Sequence, residues 1–352
     1  MQTQSEAQHR NHGRDAFFTR DLMTLRGWVG FYFVATASGC GGEVSRGPAA
    51  GASGSGRGGN PCTGALPNPE PEHVLANWSM PNPPASGGPN PSSYDTREPD
   101  AVIDNGTGLM WQRSASPVDE EYSFEEAVAY CADSEVSGHC DWRLPTRIEA
   151  VSLVDFTRRD PAIDAEIFSD FPGPQDNHGS TFHTSSRGED HDWRIFFSDG
   201  ASVRVQRSIA VQGSRARCVR DHVRRVTPEP RYLIEGQAPD DTVLDRGTGL
   251  VWQRRPSQQT YTFTEAHAHC ENLELRGRGW RVPSMKEIQT VVDERLTPPF
   301  DAEIFPDLPR GALRTSSLGA ESGAWLMNVD GAVFYSRVDA GLDAHHYVRC
   351  VR

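Results

Sequence analysis

The chain contains no apolar run approaching the ~18–20 residues that a helix needs to cross a bilayer. It contains no C-x-x-C pair, so the usual signature of a zinc site or a thioredoxin-like redox centre is missing. It lacks any excess of basic residues: 35 Lys and Arg stand against 48 Asp and Glu, a net charge of -13. Nucleic acid and anionic membrane surfaces both demand a basic footprint, so neither is an expected partner. A polyanionic sugar is disfavoured on the same ground unless a basic patch survives locally. No G-x-S-x-G elbow marks a hydrolase nucleophile. The glycine pair Gly106-Thr107-Gly108 opens a strand rather than a helix, which excludes a phosphate cradle there.

What is present begins with an address. Residues 25–40 read LRGWVGFYFVATASGC. Arg26 supplies a positive start, and Trp28 to Ala37 form an apolar stretch of signal-peptide length. The stretch ends in Ala37-Ser38-Gly39-Cys40, small residues before a cysteine, which resembles the lipobox of bacterial lipoproteins. The expectation is a signal peptide over 1–39, with Met1 or Met23 as the start. Cys40 is then the acylated residue, and the protein is an exported, membrane-anchored envelope lipoprotein. Residues 40–95 are rich in Gly, Ser and Pro. Such a composition buries little apolar surface to offset chain entropy, so it reads as a tether.

The remainder of the 352 residues repeats itself once. VIDNGTGLMWQR (102–113) returns as VLDRGTGLVWQR (243–254), and YSFEEAVAYC (122–131) as YTFTEAHAHC (261–270). DWRLPT (141–146) returns as GWRVPS (279–284), and DAEIFSDFP (164–172) as DAEIFPDLP (301–309). Thr184-Ser185-Ser186 matches Thr315-Ser316-Ser317. Trp193 and Trp325 each precede an Asp-Gly turn, and ARCVR (216–220) matches VRCVR (348–352). Each copy is long enough for its own core, which predicts two domains rather than a solenoid, over 96–222 and 229–352.

Local chemistry predicts the elements. Trp111 and Trp252 sit on short strands and turn inward. Ser123 with Glu126, and Thr262 with Glu265, form capping boxes that open a first helix in each copy. Thr146 with Glu149, and Ser284 with Glu287, open a second. Pro145 and Pro283 hold the preceding residue extended. The repeated motif therefore reads as a core anchor (Trp142, Trp280), an Arg that is either a buried charge paired with a carboxylate or a surface residue (Arg143, Arg281), a stop and a helix start. Two strand-like runs flank Asp199-Gly200 and Asp330-Gly331, a hairpin signal, and Arg-Cys-Val-Arg adds a third strand. Residues 172–192 and 309–323 read as long irregular loops, the usual place for binding residues.

Seven cysteines complete the pattern. The second copy holds only Cys270 and Cys350, which therefore pair, and Cys131 pairs with Cys218 by alignment. If Cys40 is acylated, elimination pairs Cys62 with Cys140; free thiols at both are the alternative. Bridges fit an exported chain.

Together these landmarks resemble the Lcl C-terminal-domain family, named for a bacterial collagen-like adhesin. The resemblance covers both copies. It implies a variant of the C-type-lectin-like fold: α+β, with two helices, a small twisted antiparallel sheet, terminal strands that meet, and a helix-to-last-strand disulfide. The EPN, QPD and WND triplets of calcium-dependent lectins are not in place, so calcium-dependent sugar binding is not implied.

Other chemistry is weakly written. His178, His183 and His191 lie near Asp190 and Asp192, but the second copy has no counterparts. His267 and His269 cannot share a helix face. A Ser185/His183/Asp192 relay needs geometry that spacing does not provide. The repeated cysteines read as structural, unlike the reactive pair of the formylglycine-generating enzymes. The expectation is a binding or adhesion module, not an enzyme, with no cofactor and no metal. It would recognise an unidentified glycan or protein and touch the membrane only through its lipid. The alternatives are an envelope assembly component, or a glycan-active enzyme using loop carboxylates such as Glu189, Asp190, Asp192 or Glu321.

Overall fold

The computed structural model describes residues 75–171, 181–207, 214–296, 298–320, 323–328, 333–336 and 342–352. The expected signal peptide, Cys40, Cys62, His178 and Glu321 lie outside them. All described residues belong to one compact unit, Arg57–Arg352.

The first repeat opens with β1 (Tyr94–Asp95), β2 (Ala101–Asp104) and β3 (Leu109–Gln112). An Asp side chain builds the turn between β2 and β3. Asp104 Oδ1 accepts from Gly106 N at 2.8 Å, and Gly108 takes the left-handed conformation at φ 75°. Helix α1 (Phe124–Ala132) and helix α2 (Arg147–Leu153) follow, then strands β4 (Thr181–Arg187), β5 (His191–Phe196), β6 (Ser202–Gln206) and β7 (Val219–Asp221). The second repeat restates the series as β8 (Tyr232–Glu235), β9 (Thr242–Asp245), β10 (Val251–Gln253), α3 (Phe263–Glu271) and α4 (Met285–Gln289), closed by β11 (Leu313–Leu318), β12 (Ala324–Met327) and β13 (Val333–Ser336). All four helices carry complete capping boxes, with the hydroxyls of Ser123, Thr146, Thr262 and Ser284 accepting from the N3 amides.

Every named strand pair is antiparallel, in sheets ordered β1-β2-β3-β7, β4-β5-β6, β10-β9-β8 and β11-β12-β13. The fold class is α+β. The closing Arg-Cys-Val-Arg meets the opening strands, as the resemblance implies, rather than adding a third strand to the hairpin. Val219 pairs with Trp111 on one side and bridges Arg143 on the other. Val351 bridges Trp252 and Arg281 in the same way. The end of each repeat is thus inserted between its beginning and its Trp-Arg step. The hairpin's third strand is instead β4 or β11, which carries Thr-Ser-Ser. Much of the expected long loop is therefore strand: 181–187 and 191–192 in the first repeat, 313–318 in the second.

Two further expectations are corrected. The tether was read through residue 95, yet Ala76, Trp78 and Met80 are buried in the core and β1 lies within the same span. Three apolar anchors outweigh the surrounding Pro and Gly. The expectation of separate cores also fails. The principal apolar cluster runs from Trp78, Trp111 and Ile148 to Trp252, Ile288 and Trp325, and so belongs to both repeats. Each repeat keeps only a small private cluster around its bridge, with Trp142, Cys131 and Cys218 in one and Trp280, Cys270 and Cys350 in the other.

The two bridges, Cys131–Cys218 and Cys270–Cys350, close 87 and 80 residues. Loops of that length correspond to about 4–5 kcal/mol each on the chain-entropy account. Cys140 is also disulfide-bonded.

Candidate functional site

The repeated motifs are where shared chemistry would sit, so the fate of each side chain decides what they do. Arg143 donates both terminal nitrogens to Glu149, at 2.7 and 2.6 Å, and a third bond to Asp221 at 3.0 Å. Arg281 grips Glu287 in the same fork, at 2.7 and 2.6 Å. The same glutamates accept from the N-cap amides of Thr146 and Ser284. One carboxylate thus closes a helix cap and pairs with a guanidinium, buried at Arg143 and half-buried at Arg281. Trp142 donates its indole N–H to Val136 O, and Trp280 donates to Leu275 O and Gly277 O.

Thr-Ser-Ser, which looks like a row of nucleophiles, is a splice between helix and hairpin. Thr184 and Thr315 donate their hydroxyls to the carbonyls of Trp193 and Trp325, each at 2.7 Å. Ser186 and Ser317 accept the first amide of α2 and of α4, at 2.8 and 2.9 Å. The middle serine amides bond Pro145 O and Pro283 O. The glutamine after each inward Trp also serves the frame: Gln112 and Gln253 accept from the amides of Cys218 and Cys350. Pro145 and Pro283 thereby receive a role that their backbone effect did not predict.

The candidate loop residues are dispersed. His183 is buried on β4 with Nε2 on Tyr122 O at 2.7 Å, and burial pulls its pKa below the ordinary histidine value. His191 pairs with Asp190. Asp192 is held by Arg187 at 2.9 Å and Arg207 at 3.4 Å. His183 and Asp192 thus have other partners than a relay with Ser185 would require. Among the described residues no group of three or more His, Cys, Asp or Glu is placed to hold a metal ion.

The structure instead gathers charge where the repeats meet. Helices α2 and α4 pack together, and strands β6 and β13 do likewise, so equivalent elements face each other as in an isologous dimer. Arg147 is fully buried and donates Nε to Glu294 at 2.8 Å and NH1 to Gln289 at 2.7 Å. Ser186 donates to the other Glu294 oxygen. Burial raises the Glu294 pKa, while Arg147 and Ser186 oppose the rise. Lys286 is buried, with Nζ donating to Ser152 O and Pro81 O at 2.7 Å each. Burial lowers its pKa to about 8, against the pull of Asp104 and Asp155. Sequence reasoning missed these residues because their partners lie far along the chain, in the other copy or in the segment before the first.

The model for the Lcl C-terminal domain matches residues 100–220 and 241–352. The chain belongs to the Lcl C-terminal domain family. No curated protein and no solved structure matches it. The two Lcl C-terminal domains share their frame, and the Arg–Glu forks, capping hydroxyls and bridged cysteines common to both are occupied in holding it. Their paired cysteines mark an oxidising, extracytoplasmic setting. No described helix is long and apolar enough to cross a membrane.

Proposed function

We propose that this chain is an exported, lipid-anchored binding module with no catalytic activity, which recognises a glycan or a protein through residues that differ between its two domains. One observation carries the reading. The side chains common to both copies, the Arg–Glu forks, the capping hydroxyls and the bridged cysteines, are all bonded within the frame. Recognition then falls to the surface segments outside it. Each domain is read as a C-type-lectin-like variant; its two helices, meeting terminal strands and helix-to-closing-strand bridge support this. Cys40 carries the lipid, and the stretch after it spaces the domains from the membrane.

The test is a glycan and protein array probed with the mature chain. Retention of one ligand class, reduced by changes in loop residues such as Asp190, is the expected result. Silence across sugars, matrix proteins and envelope polymers would sink the reading. Replacing Cys40 by Ser should move the protein from the membrane fraction to the soluble one.

A second reading has its own support. Val223 and Val226, in the segment that joins the domains, and Leu233 and Ile234, on the edge strand β8, are exposed. An assembly component docking on a protein partner would use such a stripe. Crosslinking in the native cell separates the two, because a single stoichiometric protein partner favours assembly.

A further inference from the structure

A cavity of about 200 Å³ opens beside the seam between the domains. It lies below the ~300–1,000 Å³ usual for drug-sized ligands, so it suits one small ring rather than a chain. Its walls come from three places: the segment before β1, the end of α2 and the start of α4. Pro83 and Leu153 supply apolar surface, and Tyr94, Asp155, Arg158, Asp164 and Lys286 supply the polar edges.

The polar edges have unused capacity. The Tyr94 hydroxyl makes no hydrogen bond among the described residues, although its ring is locked edge-on against Phe168 at 5.9 Å. Burial, reinforced by Asp104, Asp164 and Asp155, raises the phenol's pKa far above its ordinary value, so it remains a donor. A hydroxyl in a cavity wall without a protein partner is available to a ligand. Ser92, also in the wall, adds a second hydroxyl. Asp164 spends Oδ1 on the amide of Glu166, and Oδ2 accepts no hydrogen bond among the described residues. Lys286 donates to two carbonyls and has a third N–H.

The charges decide the class of ligand. Arg158 lies against Asp155 at 3.1 Å and Asp164 at 3.7 Å, and Lys286 adds a second cation to the two carboxylates. The lining is therefore close to neutral. A carboxylate or phosphate would meet Asp155 and Asp164, and an amine would meet Arg158 and Lys286. A ligand rich in hydroxyls is both donor and acceptor at each position, and its C–H face can lie on Pro83 and Leu153.

We propose that this cavity is a binding site for a neutral sugar ring, with Tyr94 donating to one hydroxyl and Asp164 accepting from another. The site is separate from the loops of the preceding reading. It draws Lys286 from the second domain and everything else from the first domain and the segment ahead of it, so it exists only when the domains are packed.

The test is saturation-transfer NMR and titration of the full mature chain with four sugars of one ring size: glucose, N-acetylglucosamine, glucosamine and glucuronate. The expected result is binding of one or both neutral sugars, weaker binding of the charged pair, and a five- to tenfold loss in Tyr94→Phe, about what one hydrogen bond is worth. Tyr94→Phe keeps the contact with Phe168, and an unchanged melting temperature confirms its fold. Asp164→Asn should lower affinity similarly, while Glu271→Gln at the exposed end of α3, outside both the cavity and the loops, should leave it unchanged. No transfer to either neutral sugar, preference for a charged one, or full affinity in Tyr94→Phe each overturns the proposal. If sugar binding survives Tyr94→Phe but falls in Asp190→Asn, the loop reading stands and the cavity does not.

Discussion

Arg147 of the first domain and Glu294 of the second form an ion pair at 2.8 Å, with both side chains out of water. The equivalent positions on the opposite arm of the seam are Met285 and Phe156. There, Phe156 packs edge-on against Trp325 at 4.9 Å, and Trp325 donates its indole N–H to Phe156 O. Arg147 in turn lies over Trp193, the counterpart of Trp325, at 5.2 Å. One arm of a near-symmetric interface is apolar and the other ionic.

That asymmetry allows an exchange experiment. Arg147→Met alone leaves the Glu294 carboxylate buried and unpaired, and should destabilise by about 3–5 kcal/mol. The double change Arg147→Met with Glu294→Phe copies the apolar arm and should recover most of the loss. Denaturant titration reads both. A double variant no more stable than the single one contradicts the equivalence of the two arms.

A core shared by two domains should hold them together without the connecting chain. Introducing a protease site within 223–229 and cleaving it should leave two fragments that co-elute and melt together. Elution as independent folded halves would show that each domain is sufficient alone.

The two Arg–Glu forks should differ in weight. The Arg143 side chain is 6% exposed and that of Arg281 is 34% exposed, while both glutamates are buried. Arg143→Ala should therefore cost about 3–5 kcal/mol and Arg281→Ala about 1–3 kcal/mol. Equal losses would mean that solvent does not reach the Arg281 fork.

Acid should destabilise the second domain through His346. Burial, then Arg314 and His345, pull this imidazole down to about 4, and its Nε2 has no hydrogen-bond partner among the described residues. The unfolded chain binds the proton near pH ~6.5, so the neutral ring favours the fold fully above that value. The contribution declines as pH falls below it and is gone near 4. Melting temperatures between pH 7 and 4 should fall less steeply in His346→Gln. A parallel decline in both proteins would assign the effect elsewhere.

Sequence alone determined everything that is local or duplicated. The capping boxes at Ser123, Thr146, Thr262 and Ser284 are short-range hydrogen-bond chemistry, and all four formed. The pairings Cys131–Cys218 and Cys270–Cys350 followed from counting cysteines across two copies. The motif Trp142-Arg143 read as scaffold because Trp280-Arg281 repeated it in front of the same cap. Only the tertiary structure decided which surfaces meet. Trp78 and Met80 look like punctuation in a proline-rich stretch until a core exists to receive them. The closing strands pair with Trp111 and Trp252, a contact set by long-range register that no local pattern encodes. The differences between the copies at Arg147 and Met285, and at Phe156 and Glu294, were visible in the alignment. They acquired meaning only when the helices packed, because a charge buried by a partner far along the chain carries no mark of that partner in its neighbours.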